Sequence, residues 1–163
     1  MPRYLQLLPI LLALAGLPAH AATAPNDISV ARDLRHDGQL AQHQGVPVLI
    51  VFTRPDCAYC DRVIDYYLMP MQRNPNHANT VLIRRLDITS TRKLIDFDGK
   101  PTMESRFAKS LKVAFAPTVM VFTPHGKPAA RPLVGLGPED YYGGFLDQAI
   151  DTARKKSGGR DNY

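Results

Sequence analysis

The chain of 163 residues has only two cysteines, too few for a four-thiolate metal site or for a disulfide-stapled mini-fold. It lacks a long apolar run: Leu5 to Leu17 is broken by Pro9, and a bilayer span takes ~20 such residues. It also lacks a block of one charge. Twenty Lys and Arg against 15 Asp and Glu give +5, scattered in short pieces such as Arg84-Arg85 and Arg154-Lys155-Lys156. A nucleic-acid binder needs a basic stripe with interleaved aromatics, so that function class is excluded. Pro 14 and Gly 11 fall short of low complexity, and 45% hydrophobic with 21% charged residues is the balance of a globular domain. The length fits one such domain.

The first residues read as an address. Arg3 gives a positive start, Leu5 to Leu17 an apolar middle, and Ala19-His20-Ala21 the small residues of a signal-peptidase site. The expected division is a signal peptide over 1–21, a short leader over 22–26, a domain over 27–156 and a polar tail over 157–163. No cysteine stands at the cleavage site to carry a lipid. The expected product is an exported, soluble protein, periplasmic in location and monomeric.

Within the domain, helical and extended patterns alternate. Ile28, Val30, Ala31, Leu34 and Leu40 predict a helix over 27–43. Val46 to Phe52 is a continuous apolar run with β-branched residues, the pattern of a buried central strand. A helix after Cys57 carries Val63, Ile64, Tyr67 and Leu68 and is expected to stop at Pro70 and Asn74-Pro75. A strand over Thr80 to Ile88, a turn-rich insertion over 96–101 and a short helix over Met103 to Val113 follow. Thr118 to Thr123 and Arg131 to Val134 read as strands of a hairpin around Pro124-His125-Gly126-Lys127. Pro138 opens a last helix at its first position, and Glu104 and Arg106 are assigned to a solvated helix face. The class is α/β, a mixed sheet with helices on both faces.

Chemistry concentrates at Cys57-Ala58-Tyr59-Cys60, between the buried strand and a helix. A thiol at the start of a helix faces unpaired backbone N–H groups and the positive end of the dipole, which favours thiolate. Cys60 lies one turn on, within reach to close a small disulfide or to resolve a mixed one on Cys57. Zinc needs two more ligands, and His36, His43, His77 and His125 show no paired spacing. A c-type haem needs a histidine where Asp61 stands. Redox exchange is the chemistry that this spacing favours over a structural disulfide, since a four-residue loop closes little chain entropy. The second feature is Ala116-Pro117-Thr118 ahead of an apolar strand. By its residues alone Pro117 fits either a cis bond that presents the preceding backbone to a peptide or an ordinary strand opening.

In order and spacing, Val48 to Phe52, the Cys57–Cys60 motif, Ala116-Pro117-Thr118 and the hairpin from Phe122 to Gly126 resemble the thioredoxin fold across about residues 28–155. Asp96-Phe97-Asp98-Gly99, Phe107-Ala108 and the ending from Val134-Gly135 through Tyr142 and Phe145 resemble the exported SoxW-like thioredoxins. The resemblance implies a thiol–disulfide oxidoreductase in which Cys57 attacks, Cys60 resolves and Pro117 is the cis-proline facing them. Tyr59, Ala116 and Pro117 are the expected substrate contacts. The Cys57/Cys60 pair serves as the redox group, and the chain carries no flavin or nicotinamide motif. Exported proteins with disulfides are the expected substrates, and a membrane thiol donor the expected source of electrons.

The chain departs from that family pattern at several positions. Val51 occupies the place of a buried aspartate six residues before the first cysteine, Asp56 precedes Cys57, and Arg85 stands where a lysine is usual. The Ala58-Tyr59 dipeptide resembles the tyrosine-containing loops of periplasmic disulfide isomerases.

Overall fold

A computed structural model describes residues 27–157. The expected signal peptide over 1–21, the leader over 22–26 and all of the tail beyond Ser157 lie outside the described residues.

The order of elements is α1 (Leu34–Gln44), β1 (Val48–Thr53), α2 (Ala58–Val63), a π-helical turn (Ile64–Leu68), α3 (Met69–Arg73), α4 (Pro75–Ala78), β2 (Leu82–Asp87), β3 (Lys93–Ile95), β4 (Pro101–Met103), α5 (Glu104–Ser110), β5 (Thr118–Phe122), β6 (Leu133–Val134) and α6 (Glu139–Lys156). The main sheet runs β2-β1-β5-β6. β1 pairs with β2 in parallel and with β5 antiparallel, so the sheet is mixed. All six residues of β1 are buried, which explains why this strand is apolar on both faces rather than alternating. On one face Leu49, Val51 and Ile83 pack with Val63, Ile64, Leu146 and Ile150 from α2, the π-turn and α6. On the other, Ile50, Phe52 and Leu86 pack with Leu34, Phe107 and Ala108 from α1 and α5. The expected α/β thioredoxin fold, with helices on both faces of a mixed sheet, is the fold observed.

Several sequence expectations change. Residues 27–33 are extended, not helical: Ala31 donates to Arg85 O and Arg85 donates back to Ser29 O, each at 2.9 Å, as an added edge beside β2. The helix begins only after Asp33, whose side chain caps His36 N. It ends at Gly45, which takes the left-handed conformation at φ 68° that a Cβ would disfavour.

Pro70 does not stop the second helix. The wide turn lets Met69 N reach Ile64 O, five residues back, and the chain continues helical to Arg73. The extra residue per turn moves the carbonyls out of register with the proline ring, which otherwise collides with the one four residues earlier. Met69 and Met71 are therefore buried helix residues, not turn residues.

The insertion over 96–101 is the turn of a two-stranded hairpin, β3 against β4. β6 is shorter than expected, with Leu133 and Val134 alone in the ladder. Pro138 caps α6 rather than occupying its first turn. Glu104, assigned above to a solvated face, is fully buried, while Arg106 is exposed.

Candidate active site

β1 ends at Thr53, and Arg54-Pro55-Asp56 turn the chain toward α2. Asp56 takes a positive φ of 53°, a conformation that aspartate tolerates better than most residues. Cys57 is the N-cap of α2: its carbonyl accepts from Cys60 N at 2.8 Å and from Asp61 N at 3.1 Å. Its Sγ also accepts from Cys60 N, at 3.2 Å. The sulfur thus accepts from an N–H of the first helical turn, at the positive end of the helix dipole, where negative charge on a thiolate is stabilised.

Cys57 and Cys60 are joined in a disulfide, with an S–S distance of 2.09 Å and Cα atoms 5.2 Å apart. Cys57 is 8% exposed and Cys60 2%, so an incoming sulfur meets Cys57 first. Tyr59, between them, is 61% exposed. Most of its surface is open to solvent beside the disulfide.

Phe52 pairs with Thr118 across β1 and β5, so Pro117 lies at the sheet end from which the chain leaves β1 for Cys57. The Ala116–Pro117 peptide bond is cis. Pro117 O accepts from Gly135 N at 2.8 Å, and the Thr118 hydroxyl donates to Phe115 O at 2.8 Å. Among the described residues neither the N–H nor the C=O of Ala116 has a hydrogen-bond partner. Phe115 and Val134, exposed apolar residues beside this segment, extend the surface around it.

Behind the disulfide a cleft of about 220 Å³ opens onto Cys60. Thr53, Asp61, Ile64, Arg85, Asp87 and Arg92 are among the residues lining it. Val51 and Arg85 are register partners, and the Arg85 guanidinium is bonded to Asp27 at 3.1 Å. Sequence reasoning singled out Arg85 by its place in the family pattern, but gave Asp87, Arg92 and Glu104 no role at this site. Glu104 accepts from Asp87 N at 2.8 Å and from Arg92 Nη1 at 3.0 Å, and so ties α5 to the end of β2. One signal for Asp87 was available: in β2, Ile83, Arg85 and Asp87 alternate onto one face, but assigning that face to Cys60 requires the pairing with β1.

The sequence matches the thioredoxin-like domain family over residues 34–150. The chain belongs to the thioredoxin-like domain family. A thioredoxin-like domain whose Cys-x-x-Cys pair closes a disulfide is a thiol–disulfide oxidoreductase, because the pair takes up or releases two electrons as one S–S bond breaks or forms. Solved structures show the same fold at low identity. A thioredoxin-fold protein from Helicobacter pylori is 18% identical, with 68% of this chain and 73% of that one covered at a TM-score of 0.52. A mutant thioredoxin from Halobacterium salinarum is 16% identical, with 79% and 96% covered at 0.51. No curated protein sequence matches the chain. Among the described residues of this thioredoxin-like protein, no helix is long and apolar enough to cross a membrane.

Proposed function

We propose that this thioredoxin-like protein is an exported reductant of protein disulfides, of the SoxW-like kind, working in the periplasm. The observation that carries the reading is the Cys57–Cys60 disulfide with its more exposed sulfur capping α2. In the reduced state the Cys57 thiolate attacks a substrate disulfide and one substrate sulfur leaves. A mixed disulfide then joins Cys57 to the other. Cys60 attacks Cys57, the second substrate sulfur leaves as a thiolate, and the Cys57–Cys60 bond closes. The unpaired backbone groups of Ala116 next to Pro117 hold an extended substrate segment by main-chain hydrogen bonds. Tyr59 gives that segment an aromatic contact. A membrane thiol donor returns the pair to the dithiol.

The direction of electron flow is a property of the pair's reduction potential. Thioredoxin reductants lie near about −270 mV and the strongest disulfide donors near about −120 mV, a gap worth ~7 kcal/mol for two electrons. Equilibration of the full chain with thiol buffers is expected to give a value more negative than about −220 mV. A less negative value overturns the reductive reading in favour of disulfide donation or isomerisation. Replacement of both Cys57 and Cys60 by serine is expected to abolish insulin-disulfide reduction while the fold is kept; retained reduction overturns the whole site.

A further inference from the structure

Resolution of the mixed disulfide requires the Cys60 thiol to lose a proton, and Val51, on β1 beneath the helix, has no polar side-chain atom to take it. Alternate residues of paired strands share a face. Val51 pairs with Arg85, and Thr53 pairs with Asp87. Leu49, Val51 and Ile83 are buried on the face covered by α2 and α6. Thr53 and Asp87 are therefore the next pair along that face, where the core opens into the cleft containing Cys60.

Five charged residues line this cleft: Arg54, Asp61, Arg85, Asp87 and Arg92. Asp27 and Glu104 reach it through their ion pairs with Arg85 and Arg92, at 3.1 and 3.0 Å. With the two guanidinium groups engaged there, no ion pair forms to Asp87 among the described residues. Asp87 Oδ1 accepts from Thr89 N and Thr89 Oγ1, both at 2.7 Å, and Oδ2 has no partner among the described residues. One carboxylate oxygen is thus anchored and the other is free in a half-buried setting. Asp61 is exposed on α2 and has no such anchor. The Thr53 hydroxyl donates to Leu86 O at 3.4 Å and does not titrate in this range.

We propose that Asp87 is the proton acceptor for Cys60, directly or through one water in the cleft. The inference rests on the attack-and-resolve sequence proposed above. As Cys60 Sγ bonds to Cys57 Sγ, the Cys60 S–H proton passes to Asp87 Oδ2. The bond from Cys57 to the substrate sulfur breaks, and the electron pair leaves with the substrate as a thiolate. The two cysteines are oxidised, the substrate is reduced, and Asp87 returns its proton to solvent.

The test is stopped-flow reaction of the reduced full chain with dithiobisnitrobenzoate, which releases one thionitrobenzoate on attack by Cys57 and a second on resolution by Cys60. Asp87→Asn keeps the oxygen that Thr89 holds, and is expected to leave the first release within about twofold and to slow the second about 100-fold at pH 6. The deficit is expected to narrow as pH rises, because hydroxide then takes the Cys60 proton without Asp87. A deficit below about tenfold at pH 6, one that stays the same at every pH, or a larger one in Asp61→Asn overturns the assignment. Failure of the first release in the wild-type protein, or a second release surviving in Cys60→Ser, sinks the exchange sequence itself and is distinguishable from those results.

Discussion

Tyr142 gives the sharpest quantitative prediction. Its side chain is 1% exposed in the core beneath α6, with its ring 4.8 Å from that of Tyr67. Its hydroxyl has no hydrogen-bond partner among the described residues. Burial, with a smaller contribution from Tyr67, raises its pKa far above the ordinary 10.0. The consequences for Tyr142→Phe differ with pH. Near neutral pH the variant loses only an unsatisfied buried hydroxyl, whose desolvation costs about 1 kcal/mol or more, so it is expected to be more stable by about that amount.

At alkaline pH the sign comes from proton linkage. A tyrosine whose folded pKa is raised ionises first in the unfolded chain, so the unfolded state binds fewer protons and stability falls as pH rises above about 10. One such group removes about 1.4 kcal/mol between pH 9 and pH 11, because the unfolded form ionises through pH 10 while the folded form stays protonated. The stability gap between Tyr142→Phe and wild type is therefore expected to widen from about 1 kcal/mol at pH 8 to above 2 kcal/mol at pH 11. The other titratable groups are common to both proteins and drop out of the comparison. Urea titrations of the two disulfide forms at each pH measure the gap. A gap constant across that range, or a variant less stable at pH 8, refutes the picture of a shielded, unpartnered hydroxyl.

Two further substitutions separate structural from functional residues. Glu104→Ala leaves Arg92 and the Asp87 N–H without their buried partner and is expected to cost about 3 kcal/mol by urea titration. Glu104→Gln, which keeps an acceptor for both, is expected to cost nearer 1 kcal/mol. Tyr59→Ala removes an exposed side chain and is expected to change stability by less than about 0.5 kcal/mol. It is also expected to slow reduction of insulin severalfold while leaving the reaction with dithiobisnitrobenzoate unchanged; an equal effect on both reagents refutes a role in substrate contact.

Local signals were legible wherever the physical cause is local. The apolar run of β1 is a fully buried strand, and the cysteines follow it at the start of a helix. On the helical segments, adjacent tyrosines divide between surface and core: Tyr66 and Tyr141 are exposed, while Tyr67 is half-buried and Tyr142 buried. The errors have non-local causes. Ile28, Val30 and Ala31 carry helical spacing, yet the segment is extended because Arg85 offers it a strand edge. A sequence does not display that edge. Lys93–Ile95 and Pro101–Met103 are too short to show alternation and exist as strands only because they pair with each other. Pro70 carries a strong stop signal, overridden by the π-turn that precedes it.

The fold class, the central strand and the dithiol at a helix start are written in consecutive residues, because burial periodicity and Cys spacing are local patterns. What stands behind Cys60 is set by packing alone. Strand register brings Asp87 alongside Thr53 from a position 34 residues away, and the closing of α5 over the end of β2 buries Glu104 against Arg92 and the Asp87 N–H. Charged residues at the ends of strands look solvated in a linear reading. Their surroundings, and hence their chemistry, are set by which distant elements pack against them.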